Sequence, residues 1–434
     1  MSERKPIKKA EEVKPFAEYK EDIYNCMKCG ACRVALRQSL PSCPAGNKHV
    51  FDSYYSIGRM EIARSILEGD LDWNENTAKR FYNCALCGSC DNHCDYVNGT
   101  FSPVEVFSMM RRELVNRGLG PLPTQKPMVE STEKYKNPFA KKERGKSLPF
   151  KAKKVDKDTE VLFYVGCALE FDPTSNFITK EVAELLNKAK VNWGILKDEE
   201  VCCGLPVFEL GYEELFEKLA KENIERINRT NVKTIVTACT GCMSAMNREW
   251  SRYGKLKAKV IHITEYADQL IKEGKLKITG RFDKKVTIHD PCQLGRFSGV
   301  YEPPRDILRA IPGVDFREME RHHEEAYCCG AGGGLIALDP EWTAQTATER
   351  LQEALDCGAE VMVIPSCPNC YLNFDMAIHG YAGAVKLYES VWAKVPAAAK
   401  FMGIAHKLGS PFMKMRKKVD IEVIDEIQLL NKVT

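Results

Sequence analysis

The sequence has 434 residues, 44% of them apolar, which is sufficient for about two or three cores in a globular protein. Lysine and arginine total 63 against 60 acidic residues, so the formal charge of +3 gives no support for nucleic-acid binding. The first residues are charged and lack an apolar centre, and no apolar run reaches about eighteen residues. We therefore expect neither a secretory signal nor a transmembrane segment.

The 19 cysteines are the main chemical feature of the chain. In a secreted protein they would indicate disulfides. Without a secretory signal, and at the spacings described below, metal ligation is the better interpretation. We expect a protein of the reducing cytoplasm, free or held at the inner face of a membrane through a partner.

Residues 1–118 are predicted to form a first domain with two Cys-x-x-Cys-x-x-Cys runs. The first run is Cys26, Cys29 and Cys32, followed by Cys43, and the second is Cys84, Cys87 and Cys90, followed by Cys94. Three thiolates on one tight loop match three corners of a cubane [4Fe-4S] cluster. In ferredoxins with two clusters, the trailing cysteine of one run binds the other cluster.

This rule predicts two crossed ligand sets. One cubane is expected on Cys26, Cys29, Cys32 and Cys94, and the other on Cys84, Cys87, Cys90 and Cys43. Structural zinc is a weaker alternative, because zinc sites usually take separated Cys-x-x-Cys pairs. The chain departs from the usual motif in its long Cys32–Cys43 spacing and in Asp95 after Cys94. Periodicity and capping signals predict helices around the runs, including one from Pro103 to Asn116.

Residues 119–158 are rich in proline and lysine and show no hydrophobic period. This composition predicts a basic linker that runs as an extended strap along the surface. No helix or strand is expected within it.

From residue 159 the pattern changes to apolar strands that alternate with helices. Strands are predicted at 161–165, 232–237, 286–289 and 361–364. Each leads into a cysteine-bearing loop, as is typical of the carboxyl ends of strands in open α/β sheets. We predict two α/β lobes, 159–280 and 281–395, with their cysteine loops facing each other. Residues 396–434, with a helix-like stretch at 421–430, either cap the second lobe or dock a partner, and we assign them as a docking tail.

Ten further cysteines form two sets of five with matching spacing. The first set is Cys167, Cys202, Cys203, Cys239 and Cys242, and the second is Cys292, Cys328, Cys329, Cys367 and Cys370. Corresponding members lie 125 to 128 residues apart. Adjacent cysteines cannot both reach one corner of a compact cubane without strain, so the pattern favours a more open cluster, or one in which a thiolate bridges two irons. Vicinal disulfides or buried free thiols are the alternatives, and the matched spacing argues against both.

Glycines follow both adjacent cysteine pairs. They are Gly204 in the first copy and Gly330, Gly332, Gly333 and Gly334 in the second. Glycine allows the backbone to approach a sulfide closely and to direct N–H groups at it. We therefore predict that Gly204, Gly330, Gly332 and Gly333 contact a cofactor, with a simple role in turns as the alternative.

The two five-cysteine sets resemble the paired cysteine-rich "CCG" domains of heterodisulfide reductase catalytic subunits. With the N-terminal dicluster module, the arrangement from Cys26 to about residue 395 is similar to the fused, D-type subunits of that enzyme. The resemblance implies an α+β protein: a helical dicluster 4Fe-4S ferredoxin domain followed by two pseudo-repeated α/β CCG lobes. It also implies one non-cubane [4Fe-4S] cluster on each five-cysteine set, beside the two cubanes.

The resemblance further implies a reaction. Single electrons would pass through the cubanes to the non-cubane pair, where all ten cysteines serve catalysis and a disulfide is reduced to two thiols, or the reverse. The same architecture occurs in subunits of quinone-linked dehydrogenases and benzoyl-CoA reductase complexes, where its role would be electron relay alone. The cysteines do not separate these functions. A cavity between the lobes would favour the enzyme, and a closed interface the relay.

No flavin or nicotinamide motif occurs in the sequence. We therefore expect a partner, either a flavoprotein or a membrane cytochrome, to exchange electrons with this chain. The glycines after Cys329 are not followed by Lys-Ser/Thr, so nucleotide binding is not predicted.

Five other side chains are weaker candidates. Arg296 could hold a carboxylate or phosphate, or could be a surface arginine. His289, His322 and His323 could supply protons, although such histidines are more often structural. Cys357 has no counterpart in the first copy and is expected to be an ordinary buried thiol.

Overall fold

The computed structural model describes residues 15–35, 39–97, 101–379 and 420–434. Most of the predicted docking tail, up to residue 419, lies outside the described residues.

The N-terminal domain is helical, as predicted. Its helices are α1 Lys20–Tyr24, α2 Pro44–His49, α3 Ser56–Glu68, α4 Glu75–Tyr82, α5 Ser89–Val97 and α6 Pro103–Asn116. A short antiparallel pair, β1 Val34–Ala35 and β2 Leu40–Pro41, lies in the loop between the first run and Cys43. The Ser102 hydroxyl accepts the Glu105 N–H at 3.3 Å and caps α6, which confirms the bounds expected from the Ser-Pro signal.

The linker contains a helix that the sequence analysis missed. Helix α7, Lys126–Tyr135, begins with Pro127 in its first turn, where a missing N–H costs no hydrogen bond. Later in the linker, Arg144 is buried and pairs with Glu170 and Glu200 of the first lobe. The linker is therefore anchored to the first lobe at this point instead of lying as a solvated strap.

Each lobe contains a four-stranded parallel sheet with the same strand order. The first sheet is formed by β3 Val161–Phe163, β4 Trp193–Gly194, β5 Thr234–Thr237 and β6 Lys259–His262, in the order β4-β3-β5-β6. The second is formed by β7 Lys285–Ile288, β8 Asp315–Phe316, β9 Val361–Ile364 and β10 Glu422–Asp425, in the order β8-β7-β9-β10. The repeat seen in the cysteines therefore extends to the whole lobe.

Helices connect the strands and cover the sheets. In the first lobe they are α8 Cys167–Phe171, α9 Phe177–Lys188, α10 Leu205–Glu209, α11 Glu213–Asn228, α12 Thr240–Ser244 and α13 Ile263–Lys272. In the second they are α14 Glu302–Ala310, α15 Leu335–Leu338, α16 Pro340–Asp356, α17 Pro368–His379 and α18 Glu426–Val433. The element order is that of an α/β fold with crossover helices between parallel strands.

The described end of the tail belongs to the second lobe. Instead of one helix over 421–430, residues 422–425 form β10, which pairs in parallel with β9, and α18 follows. This βα unit is the counterpart of β6 and α13 in the first lobe. Asp425 ends the strand and caps α18, since its carboxylate accepts the Ile427 N–H at 3.0 Å.

Two apolar cores hold the three units together. One joins the helical domain to the first lobe, with Phe81 and Phe107 in the same cluster as Phe216 and Trp250. The other joins the two lobes through the sheets and through α9 and α18. In the part of the chain that the structure describes, no helix is long and apolar enough to cross a bilayer.

Candidate metal centres

The first crossed set is brought together at the surface of the helical domain. Cys26, Cys29, Cys32 and Cys94 line one small cavity. Cys94 lies on α5, and this helix places it beside the first cysteine run instead of beside its own run. Burial raises the pKa of Cys32 to about 11, whereas Cys29 is exposed. One edge of this site therefore reaches solvent.

The second crossed set lies deeper. Burial raises the pKa of Cys43 to about 12, and the nearby charges of Cys84 and Cys87 act on it in the same direction. Burial and the charges of Cys84 and Cys87 also raise the pKa of Cys90. The Gly46 N–H at the start of α2 lies 3.4 Å from Cys43 Sγ. The structure thus gathers Cys43 with the second run, as the crossing rule predicts.

The first five-cysteine set forms a chain of neighbouring thiols. Its order is Cys167, Cys202, Cys203, Cys242 and Cys239. The Sγ atoms of Cys167 and Cys202 are 3.5 Å apart. Hydrogen bonds from Cys202 and Cys242 lower the pKa of Cys203 to about 6. These hydrogen bonds stabilise the thiolate of Cys203, the form that binds metal.

The second five-cysteine set repeats this order. The sequence of neighbours is Cys292, Cys328, Cys329, Cys370 and Cys367. The Sγ atoms of Cys329 and Cys370 are 3.2 Å apart. Hydrogen bonds from Cys328 and Cys370 lower the pKa of Cys329 well below its ordinary value.

The elements explain why the thiols converge. Cys167 follows β3, and Cys239 and Cys367 follow the central strands β5 and β9, so all three lie at the carboxyl edges of the sheets. The adjacent pairs come from loops that side chains hold in place. Trp250 Nε1 donates to the Cys203 carbonyl at 2.9 Å, and Asn223 Nδ2 donates to that of Cys202 at 3.0 Å.

Two of the four predicted glycines face sulfur. The N–H of Gly204 lies 3.4 Å from Cys202 Sγ, and the N–H of Gly330 lies 3.3 Å from Cys328 Sγ. Their φ angles are +87° and +95°, a conformation that favours glycine. Each glycine therefore has the position expected for a residue that supports a negatively charged sulfur.

Gly332 and Gly333 pack against the helical domain, and their predicted contact with a cofactor stays a prediction. A Cβ on Gly332 would lie 2.7 Å from the Ala85 carbonyl oxygen, and one on Gly333 would lie 2.3 Å from that of Cys84. These glycines therefore permit close packing between the second lobe and the second ferredoxin run. They also line the cavity described below.

The second crossed set touches the second five-cysteine set. A hydrogen bond with Cys328 lowers the pKa of Cys87 to about 6. Arg296 stabilises this junction: it is buried and donates to the carbonyls of Cys87 at 2.7 Å and of Ala326 at 2.7 Å. Its predicted role as a surface residue is therefore wrong, because Arg296 is buried. Its Nη2 has no hydrogen-bond partner among the described residues, and the anion-binding role stays a prediction.

The two five-cysteine sets also meet each other. The Thr240 hydroxyl of the first lobe donates to Cys367 Sγ of the second at 3.2 Å. The cysteine sets therefore follow one another through the molecule: the first crossed set, the second crossed set, the second five-cysteine set and the first five-cysteine set.

A cavity of about 170 Å³ lies between the lobes. Four of its lining residues are cysteines of the first set: Cys167, Cys203, Cys239 and Cys242. Opposite them lie the glycine-rich loop after Cys329 and side chains of α15 and α17, and the linker closes a third side with Met128 and Phe139. None of the second set's cysteines lines this cavity. The two sites therefore differ in access, which their matched spacings did not reveal.

The three candidate histidines lie in two different places: His289 in one, and His322 and His323 in the other. His289 is buried, and one of its ring nitrogens lies within 4.8 Å of the sulfurs of Cys329 and Cys370. Burial lowers its pKa. In the first lobe, Tyr164 holds the corresponding place and donates to the Val201 carbonyl. His322 and His323 instead pack against each other.

Three further residues are His323, Cys357 and Glu209, and only Glu209 was not among the sequence candidates. His323 Nε2 lies 3.0 Å from the Glu302 carboxylate, so this histidine belongs to a surface cluster. Cys357, expected to be an ordinary buried thiol, is half-buried outside the four sites, and its Sγ donates to the Ala354 carbonyl at 3.1 Å at the end of α16. Glu209, which the sequence analysis missed, lines the cavity, and burial raises its pKa to about 7. No local motif marks it, because its partners come from the other lobe.

The donor chemistry fits iron–sulfur clusters. All 19 cysteines lie in the described residues as free thiols, without a disulfide among them. Four groups of thiols converge from distant loops, and backbone N–H groups point at several of the sulfurs. Thiolate ligands with N–H donors are the ordinary environment of such clusters.

Comparison with known families agrees with this chemistry. A family described as "Cysteine-rich domain" matches residues 161–247 and 286–375, and one described as "4Fe-4S dicluster domain" matches residues 22–97. The D-type subunit of the dihydromethanophenazine:CoB–CoM heterodisulfide reductase of Methanosarcina acetivorans is 35% identical over 73% of this chain and 76% of its own length. The chain belongs to the family of D-type heterodisulfide reductase subunits. It is an iron–sulfur oxidoreductase with 4Fe-4S clusters.

Two other relatives have longer chains. The probable iron–sulfur-binding oxidoreductase FadF of Bacillus subtilis is 35% identical over 80% of this chain and 56% of its own length. The EtfAB:quinone oxidoreductase of Syntrophomonas wolfei is 32% identical over 80% of this chain and 54% of its own length. The names of the heterodisulfide reductase and quinone oxidoreductase relatives therefore give different electron acceptors.

Proposed function

We propose that this chain reduces a disulfide to two thiols, or oxidises two thiols in the reverse direction, at the cavity between the lobes. The observation that carries the proposal is that four thiols of the first five-cysteine set line this cavity. The reaction consumes two electrons and two protons for each disulfide cleaved. Besides the thiols that would hold the cluster, the cavity is lined by Phe139, Ile336 and Leu372, and a relay would need only the space of the cluster itself.

The four cysteine sets are proposed to hold two cubane and two non-cubane [4Fe-4S] clusters. Each crossed set of four thiols would hold one cubane, and each five-cysteine set one non-cubane cluster. When bound, the clusters would supply single-electron transfer and a place for substrate sulfur at iron. In the non-cubane sites, Gly204 and Gly330 would direct N–H groups at the ligand sulfurs.

The contacts between the sets support one order of electron transfer. Cys29 of the first crossed set is exposed, so this set is proposed as the entry point. Cys87 and Cys328 join the second crossed set to the second five-cysteine set. Thr240 and Cys367 join that set to the first one, beside the cavity. The second five-cysteine set would thus act as a relay, and the first as the substrate site.

A partner is proposed to dock at an apolar patch beside the entry point. Among the described residues, the large exposed hydrophobic side chains all lie in segment 24–51, and they are Tyr24, Met27, Val34, Val50 and Phe51. The Arg33–Asp52 ion pair, 2.9 Å long, connects the two parts of this segment. The proposed partner of this apolar patch is a flavoprotein or a membrane cytochrome whose own cofactor lies near an apolar face. A membrane-bound partner would place this chain at the inner face of the membrane.

A second candidate is an electron relay with no substrate of its own. The second five-cysteine set, which does not line the cavity, and the relative named as a quinone oxidoreductase favour it. In that case the chain would pass electrons to a partner, and the cavity would stay without a reacting disulfide.

The deciding experiment supplies anaerobic purified protein with reduced viologen and a low-molecular-weight disulfide, and measures thiols formed per viologen oxidised. We expect one thiol per viologen, and loss of activity in Cys203→Ser but not in Cys357→Ser. Viologen-reduced protein that forms no thiol from any disulfide tested, yet reduces a quinone with its partner present, would favour the relay.

A further inference from the structure

Arg296 lies at the junction between the second crossed set and the second five-cysteine set. It is 4% exposed, and its donors reach two other segments of the chain. Nε donates to the Cys87 carbonyl at 2.7 Å, and Nη1 donates to the carbonyls of Glu324 at 3.1 Å and Ala326 at 2.7 Å. Arg296 itself follows Cys292 by four residues, and Ala326 is two residues before the adjacent cysteine pair. The guanidinium group is therefore held between the ligand loops of two proposed clusters.

This guanidinium group has more donors than the described residues have acceptors for it. An arginine has five N–H groups, of which Nε carries one and each terminal nitrogen carries two. The three contacts above use those of Nε and Nη1, whereas Nη2 is buried and has no hydrogen-bond partner among the described residues. A buried donor without an acceptor destabilises the fold. We therefore expect the Nη2 donors to serve an acceptor that the polypeptide does not supply.

The charges that act most strongly on Arg296 include those of proposed ligand thiolates. Burial opposes the charged form of the guanidinium group, but the charges of Cys87 and Cys292 outweigh burial and raise the pKa of Arg296 above its ordinary value. Cys328 acts in the same direction. One of these three cysteines belongs to the second crossed set and two belong to the second five-cysteine set. Because an arginine in a protein stays protonated, the junction carries a fixed positive charge.

The sequence repeat of the two lobes is broken at Arg296. In the second copy, Arg296 stands four residues after Cys292. In the first copy, the residue four positions after Cys167 is Phe171. The arginine is therefore not part of what both five-cysteine sites share, and it occurs in the copy that contacts Cys87.

A different arginine lies near the first five-cysteine set. Arg144 of the linker is buried, and the charge of Cys167 acts on it. It forms ion pairs with Glu170 at 3.1 Å and with Glu200, so two carboxylates surround this cation and the group adds no net positive charge. Within the described residues, Arg296 donates to main-chain carbonyls and forms no ion pair with a carboxylate. The two five-cysteine sets therefore differ in the buried charge beside them.

We propose that Arg296 is a positioning residue for electron transfer, whose fixed charge and Nη2 donors stabilise the reduced forms of the two clusters on either side of it. The inference rests on the proposed function, because it assigns a role at the cluster sites described there. Nearby positive charge and hydrogen bonds to sulfur raise the reduction potential of an iron–sulfur cluster. Arg296 therefore raises the potentials of the second cubane and of the second five-cysteine cluster, and this favours their reduction, one electron at a time, by the first cubane.

Redox titration of the anaerobic holoprotein, followed by electron paramagnetic resonance, tests this role. Arg296→Gln removes the charge and keeps a polar side chain. We expect the reduction equilibrium of both neighbouring clusters to shift at least tenfold toward the oxidised form, which corresponds to about 59 mV for one electron, with the first cubane unchanged. The signals are assigned through Cys43→Ser and Cys292→Ser.

Two further variants show whether the charge is the cause. Arg296→Lys keeps the positive charge and should recover part of the shift. Arg309→Gln removes an exposed arginine of α14 in the same lobe and should leave every potential unchanged. An unshifted potential at either neighbouring cluster in Arg296→Gln would overturn the inference.

A measurement on the wild-type holoprotein covers the case in which the Arg296 variants bind less iron. The protein is labelled with ¹⁵N in its arginine side chains and reduced, and hyperfine spectroscopy detects ¹⁵N coupled to the electron spin. We expect a coupling at the signal of the second cubane or of the second five-cysteine cluster, because Nη2 would donate to a sulfur of one of them. The absence of this coupling would overturn the inference.

Neither measurement uses a disulfide, so the outcome is independent of the proposed reaction. Shifted potentials in a protein that cleaves no disulfide would leave the role of Arg296 standing and the proposed function wrong. Disulfide cleavage by the wild type, with unshifted potentials in Arg296→Gln, would have the opposite meaning.

Discussion

Thr240 and Cys367 belong to different lobes, yet the hydroxyl of one donates to the sulfur of the other at 3.2 Å. This contact joins the two five-cysteine sets at the carboxyl edges of their sheets. It gives one side chain direct influence on a proposed ligand sulfur of the other lobe.

Thr240→Val should lower the reduction potential of the second five-cysteine site. The hydroxyl stabilises negative charge on Cys367, and a hydrogen bond worth about 1 kcal/mol corresponds to roughly 40 mV for one electron. Redox titration followed by electron paramagnetic resonance measures the shift. Thr240→Ser keeps the hydroxyl and serves as the control, and identical potentials in all three proteins would rule out this role.

The crossed ligand sets predict which cubane each trailing cysteine serves. Cys94→Ser should disturb the site of the first run and Cys43→Ser that of the second, each with loss of up to about four irons per chain. Cys357→Ser, outside the sites, should keep the full iron content. If Cys94→Ser altered the spectrum of the second cubane and spared the first, the crossing would be wrong.

The apolar patch predicts a specific kinetic defect. Phe51 is 65% exposed and Val50 is 79% exposed, so replacing both by serine should cost little stability. We expect a higher KM for the protein partner and an unchanged rate with reduced viologen, which needs no docking surface. The exposed replacement Gln352→Ala on α16 is the matched control. Unaltered kinetics with the partner would place docking elsewhere.

The buried carboxyl of Glu426 predicts a pH-dependent stability. Burial raises its pKa to about 8 from an ordinary value of 4.5, and Thr264 of the first lobe donates to it. Between these values the folded protein holds a proton that the unfolded chain has lost, so stability falls as the pH rises from about 5 to 8.

Glu426→Gln removes this proton linkage. Between pH 6 and pH 8, the variant should lose less stability than the wild type, by on the order of 2 kcal/mol. Anaerobic chemical denaturation at both pH values measures the difference. Glu422→Gln removes an acid from an exposed position of β10 and is the control. Parallel losses in wild type and Glu426→Gln would show that Glu426 does not titrate in this range.

The sequence predicted the features that depend on local spacing. From the cysteine runs we predicted that Cys94 lies with the first run and Cys43 with the second. From the apolar strands we predicted that Cys167 and Cys239 lie at a sheet edge. Both follow from short segments whose geometry is set by their own residues. The same holds for α6, whose serine cap and proline mark its start.

The features that the sequence did not predict depend on distant partners. The strand β10 pairs with β9 across about sixty residues, and only the finished sheet makes 422–425 extended. Arg296 donates to the Cys87 carbonyl, more than two hundred residues away in the chain. The unequal access of the two five-cysteine sets likewise arises from how the linker and lobes pack.

The central claim is that four groups of thiolates, gathered from distant loops, each hold a [4Fe-4S] cluster. Anaerobic quantification of iron and acid-labile sulfide per chain tests it most directly. The account predicts about sixteen of each, four per cluster. A value of about eight would mean that the two five-cysteine sets do not both bear clusters, and would contradict the account.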